Sequence, residues 1–247
     1  MILLRCRIRC AAFSLIELLS VIAIVALLAA VLVPAILERV EDGKRTQCVS
    51  NLRQFAMAAY IYTSNHDGLF PAAFGAASMP GIRYQYAWDF TNVRESGAFR
   101  VEPGLLWAGA PDVRIHQCPS YAGSANWLAD PNSGYNYNTS YIGAPSDPAH
   151  RDDIANPVGT ALFGDGEWMA GANKFMRSPR GSPKDDGFSG RYAGTQGYRH
   201  LGKTNVAYSD GHAATHAVRE TSYDGSPAFI APGTGFLGSD NSLYDME

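Results

Sequence analysis

Apolar residues run almost without interruption from Phe13 to Leu37, and this run divides the chain. It holds one ionisable side chain, Glu17. At about 1.5 Å of rise per residue, a helix of that length crosses the roughly 30 Å hydrocarbon core of a bilayer. Beyond it the apolar positions thin out but keep a helical period. Cys48, Leu52, Phe55, Ala59 and Tyr62 recur at steps of three and four, a single apolar stripe. Asn65-His66-Asp67-Gly68, with Pro71 beyond, predicts the stop. Pro34 removes one backbone hydrogen bond, so the pattern predicts a kink there rather than an end.

From Leu69 onward the helical period disappears and short β-like runs take over: Val158 to Gly164, Thr204 to Ser209 and His212 to Val218. The last two flank Asp210-Gly211, which predicts a hairpin with a two-residue type I′ turn. Arg177 to Gly197 is rich in Pro, Gly and Ser and reads as a mobile loop, and the tail after Glu220 reads as irregular. The expected class is α+β, with an antiparallel sheet and long loops packed on the outer half of a long helix. The expected divisions are residues 1–12, a basic leader; 13–37, an apolar membrane segment; 38–64, the outer half of the helix; and 65–247, a β-rich globular domain.

Composition refines this picture. At 46% hydrophobic and 17% charged residues, the chain is that of an ordinary folded protein rather than a disordered one. Arg5, Arg7 and Arg9 precede the apolar run with no acid among them, which predicts a cytoplasmic N-terminus and an extracytoplasmic C-terminal bulk. A secretory signal would have a shorter apolar region and a small-residue cut after it, and no such site follows Leu37. Net charge is −3 over the whole chain, and more negative without the three leader arginines, which gives no reason to bind nucleic acid.

A carboxylate at membrane depth costs a few kcal/mol unless a positive partner shares its environment. A cut between Ala12 and Phe13 would supply one, because the new α-amine lies one helical turn from Glu17 and within reach of Glu17 on a shifted neighbouring copy. AFSLIELL, followed by an apolar helix with Pro34, resembles the N-terminus of type IV prepilins and type II secretion pseudopilins. The resemblance implies a pilin-like fold and cleavage by a prepilin peptidase between Ala12 and Phe13. It also implies N-methylation of Phe13 and Glu17 as the assembly carboxylate. The family has Gly before the cut where this chain has Ala12. The implied partners are that peptidase, other pilin-like subunits, the assembly platform and inner-membrane lipid.

RHLGKTNVAYSDGHA places His200 nine residues before Asp210-Gly211. With CVSNLRQ (Cys48 to Gln54), Cys118-Pro119, YNYN (Tyr135 to Asn138) and LFGDGEW (Leu162 to Trp168), it resembles a prepilin-type subgroup named for that His-x9-Asp-Gly spacing. This likeness carries architecture more than activity.

Candidate chemistry is sparse. Cys6 and Cys10 fall in the leader, leaving Cys48 and Cys118 as a pair, either bridged or two buried thiols. Asp165, His200, Asp210 and His212 are the candidate ligands of a divalent cation; the alternative is that each Asp satisfies its own turn. Apart from that ion no cofactor is expected. No nucleophile elbow, phosphate-binding Gly loop, His-Glu-x-x-His or Cys-x-x-Cys is present, so the expectation is a structural subunit and not an enzyme. The competing class is a tethered or minor tip subunit binding polysaccharide or secreted cargo through aromatics such as Tyr84, Tyr86, Trp88, Trp107, Trp127 and Tyr135 to Tyr141. A metal-dependent enzyme around His200 and Asp210 is the third.

Overall fold

The computed structural model describes residues 14–107, 117–123, 133–168, 171, 173–182, 184, 194–222 and 230–247. Helix α1 runs from Leu15 to Asn65 and continues through Pro34, so that proline does not end it. Contacts divide the chain into residues 1–40 and 41–247. In the first unit every side chain from Ser14 to Val40 is exposed, Leu15 at 78% and Val31 at 71% among them. Among the described residues nothing covers the apolar side chains of this segment. The helix is long and apolar enough to cross a membrane.

In the second unit α1 buries Cys48, Asn51, Leu52, Phe55, Ala56, Ala59 and Thr63, the stripe the sequence pattern marks, with Tyr62 at its half-buried edge. Asp67 takes a left-handed conformation, and the Gly68 N–H donates to the Thr63 carbonyl at 2.8 Å. That closes the last turn where the Asn-His-Asp-Gly signal placed it.

Strands β1 (Phe74–Met79), β2 (Ile82–Ala87), β3 (Phe90–Glu95) and β4 (Ala98–Pro103) form an antiparallel meander. The other strands are β5 (Tyr135–Asn138), β6 (Ala161–Asp165), β7 (Phe175–Met176), β8 (Gln196–Gly197), β9 (Thr204–Tyr208), β10 (Ala213–His216) and β11 (Thr234–Gly235). Five of them make a sheet in the order β10-β9-β6-β5-β7, antiparallel except for β5 with β7, and β11 pairs with β8.

The five-stranded sheet is covered on both faces. Tyr135 and Tyr137 of β5, Phe163 of β6 and Ala207 of β9 share a core with Leu52, Phe55 and Ala59 of α1. Phe55 is its hub, with ring centroids 5.0 Å from Tyr135 and 5.7 Å from both Trp88 and Trp107. Alternate residues, Val206 and Tyr208, pack with Met176, Leu237 and Tyr244 on the other side. Asn138, also facing away from the helix, donates to the carbonyls of Ala161 and Tyr244. Residues 230–247 of the tail pack into the fold, with Phe236 and Tyr244 fully buried, and apart from β11 they are irregular, as the sequence leads one to expect. The described ends of the Arg177–Gly197 stretch are likewise packed: Arg177, Ser178, Thr195 and Gln196 are buried. Its residues 185–193 lie outside the described residues.

The β9–β10 turn corrects one expectation. Ala207 pairs with Ala213, the Tyr208 N–H donates to the His212 carbonyl, and the Gly211 N–H donates to the Tyr208 carbonyl. The loop is thus three residues, Ser209 to Gly211. Gly211 has φ +92°, and Asp210 is not among the positive-φ residues that a type I′ turn needs at that place.

Candidate functional site

A tight turn of the I′ kind lies instead one strand-length earlier. Leu201 (φ +53°) and Gly202 (φ +77°) form its two central residues, and His200 and Lys203 exchange both backbone hydrogen bonds at 3.1 Å. This turn puts His200 at the start of β9, whereas Asp210 follows its end. The nine-residue spacing is one short strand with its two turns, so the two motif residues are separated by about 3.3 Å for each intervening strand residue. Asp210 and His212 stay together at the far turn, where the Asp210 Oδ1 accepts from the His212 backbone N–H and pairs with its Nδ1. That is the turn-satisfying reading, and it removes both residues from the metal candidates.

Asp165 and His200 do meet. Asp165 ends β6, where its Oδ2 accepts from the backbone and side-chain N–H groups of Asn205 on β9, at 2.7 and 2.9 Å. The same oxygen lies 3.5 Å from His200 Nε2. Two further groups close the cluster. Cys118 Sγ is 3.6 Å from that nitrogen, and Cys48 Sγ, from α1, is 2.7 Å from Cys118 Sγ. Cys118 is positioned by its N–H, which donates to the Ser133 carbonyl. The structure brings the two cysteines together, as the sequence expectation of a pair requires, and carries both as free thiols.

On its other side, His200 Nδ1 pairs with Glu41 Oε1 at 2.9 Å, and the Ser120 hydroxyl donates to the same oxygen at 2.5 Å. Arg199 is held just as firmly. It donates to the carbonyls of Gly134 and Gly166, reaches Glu167 at 3.4 Å and Asp165 Oδ1 at 3.6 Å, and lies over the Tyr121 ring. Asn51 donates to the Tyr135 hydroxyl at 3.0 Å beside the sulfurs.

These contacts set the charges. Burial opposes the imidazolium of His200, but Asp165 and Cys118 outweigh it and lift its pKa to about 10. Burial likewise opposes ionisation of Glu41, yet the hydrogen bonds from Ser120 and His200 hold its carboxyl below the ordinary value. For Cys118 burial is overcome by hydrogen bonds from Cys48 and His200, which bring the thiol down to about 5. Cys48, donating to Cys118 and then desolvated, moves up. The pair gives up one proton readily and the second with difficulty.

Of the remaining sequence candidates, Ala12 and Phe13 lie outside the described residues. Glu17 sits in the first turn of α1, where its Oε2 accepts from the Ser14 N–H at 2.9 Å and the Ser14 hydroxyl at 2.7 Å. Ser14-x-x-Glu17 is a capping box, a signal legible in the sequence but overshadowed by the apolar run. Glu41, Ser120 and Arg199 were also missed. Glu41 precedes Cys48 by seven residues, two turns along one helix face, and Arg199 adjoins His200; those spacings were the available hints. Trp88, Tyr135 and Tyr137 are core residues, each at most 1% exposed, so they offer no surface for stacking. Trp127 lies outside the described residues.

No known protein family, curated protein or solved structure matches this chain.

Proposed function

We propose that the protein is a prepilin-like subunit, cut by a prepilin peptidase between Ala12 and Phe13, methylated on Phe13 and built into a pseudopilus or pilus-like filament. The observation that carries this reading is an unshielded apolar segment, residues 15–37 of α1, whose one acid, Glu17, stands in the first turn of the helix. A carboxylate in that place is costly in lipid and useful where a neighbouring subunit supplies an amine. In this reading the leader faces the cytoplasm, the apolar helix lies in the inner membrane before assembly, and residues 41–247 form the extracytoplasmic surface. The partners are other pilin-like subunits and the assembly platform, and the chain is a substrate of processing rather than an enzyme.

The tethered-binding alternative relies on an aromatic platform; Trp88, Tyr135 and Tyr137 are buried, which leaves it the half-buried Tyr84, Tyr86, Trp107 and Tyr141 among the described residues. N-terminal sequencing of the membrane-extracted chain tests the main reading. The expected result is a chain beginning at N-methylated Phe13; an intact Met1 overturns it.

A further inference from the structure

Cys48, Cys118, Asp165 and His200 come from a helix, a loop, a strand end and a turn, yet their ligand atoms all lie within 4.8 Å of one another. All four are buried, none more than 1% exposed. We propose that these four side chains bind one divalent transition-metal ion, zinc by preference, in a closed tetrahedral centre. The inference does not depend on the filament reading.

The donor set suits that ion. Two thiolates, an imidazole and a carboxylate are borderline-to-soft ligands of the kind that select zinc over magnesium or calcium. In a tetrahedral zinc site neighbouring ligand atoms lie about 3.5 Å apart. Cys118 to His200 at 3.6 Å and His200 to Asp165 at 3.5 Å already have that spacing. The sulfurs, at 2.7 Å, would part by about 1 Å around the ion.

Three surrounding features point the same way. Glu41 holds His200 Nδ1, which fixes the ring and directs Nε2 at the sulfurs, the usual outer-shell arrangement of a metal-bound histidine. Asp165 Oδ1 is buried and receives no hydrogen bond among the described residues. Arg199 lies 3.6 Å from that oxygen. Two thiolates and a carboxylate exceed a divalent cation by one negative charge, and the guanidinium offsets it. A disulfide between Cys48 and Cys118 is neutral and calls for none of these groups. Binding would expel the remaining thiol proton, that of Cys48, and the Nε2 proton of the imidazolium to solvent. With four protein ligands and no exposed face, the centre has no open position for substrate and is structural, joining α1 to the five-stranded sheet.

The test uses the full chain, exported and extracted in detergent without chelators, with metal content and thiol count measured on the same sample. The expected result is about one zinc per chain, with the Cys48 and Cys118 thiols becoming titratable, besides Cys6 and Cys10 wherever residues 1–12 remain, when the chain is denatured with a chelator. Cobalt exchanged into the site should give sulfur-to-cobalt charge-transfer absorption that Cys48→Ser weakens and that Cys48→Ser combined with Cys118→Ser abolishes. Glu41→Gln should weaken metal affinity about 10- to 100-fold with the ligands intact. A metal-free chain two hydrogens lighter than the dithiol form, alkylated only after reduction, would overturn the proposal in favour of a disulfide. A metal-free chain with both thiols titratable would overturn it as well. The wild-type measurement decides even if a variant fails to fold.

Discussion

Glu41 and His200 are 159 residues apart in the chain and 2.9 Å apart in space, a contact that fastens α1 to the turn opening β9. The Ser120 hydroxyl donates to the same carboxylate oxygen, so one helix residue holds both the His200 turn and the loop of residues 118–121. Here the motif histidine is a buried clasp, and the nine residues that follow contain the strand it anchors, β9.

The clasp predicts an acid-labile contribution to stability. The folded Glu41 carboxyl lies below its ordinary value of 4.5, so its stabilisation is present above that pH and is lost as pH falls through the lowered value. Glu41→Gln should therefore cost about 2 kcal/mol at neutral pH, the size of hydrogen bonds to a charged group, and progressively less in acid. Denaturant midpoints of the full chain in detergent, measured from neutral pH to below 4, check this. A wild-type to variant difference that does not change with pH would refute it.

Phe55 provides a second test. It is 1% exposed and meets Trp88, Trp107, Tyr135 and Phe163 edge-on or tilted. Phe55→Ala removes the hub of the core and should cost about 3–5 kcal/mol. Met57, on the same helix but 63% exposed, should tolerate alanine within about 0.5 kcal/mol. Thermal melts of the two variants separate the buried stripe from the free face.

Two glycines should respond in opposite senses. Gly43 lies inside α1 with nothing within 4 Å of where a Cβ would stand, so Gly43→Ala should stabilise the helix by about 1 kcal/mol. Gly202 also has open space, but its φ is +77°. Gly202→Ala should cost about 1–2 kcal/mol through backbone strain and loosen the turn that holds His200. Paired denaturation curves read both signs in one experiment.

The parts of this architecture that were legible in sequence are those with a local period or a local signal. The stripe from Cys48 to Tyr62 has helical spacing and is buried as such, and Asn65 to Gly68 closes the helix where it should. The β9–β10 hairpin was signalled by Asp210-Gly211, but its turn type was not, because Ser209 leaves the strand as well. The β1–β4 meander escaped notice although AFRVEP alternates Phe99, Val101 and Pro103 with Arg100 and Glu102; between them IRYQYA and AFRVEP bury only Ala87. At the site, Asp165 and His200 stood out as residue types, and Cys48 and Cys118 as a pair. That the two pairs are one cluster depends on β6 lying beside β9 and on α1 lying against both, which no short-range pattern encodes.

Glu17 has two candidate partners, and they make different predictions. In the structure its carboxylate accepts from the backbone N–H and hydroxyl of Ser14, a cap at the start of α1. The proposed assembly role requires instead its negative charge, facing the amine of a processed neighbour. Glu17→Gln keeps a side-chain carbonyl that can accept from Ser14 and so preserves the helix start, but it removes the charge. Ser14→Ala keeps the charge while removing the capping hydroxyl, at a cost of about 1 kcal/mol. If charge drives assembly, Glu17→Gln and Glu17→Leu should stay in the membrane fraction while Ser14→Ala enters sheared filaments at close to the wild-type level. Normal assembly of Glu17→Gln with failure of Ser14→Ala would assign the acid to capping, and the filament reading would lose the residue it rests on.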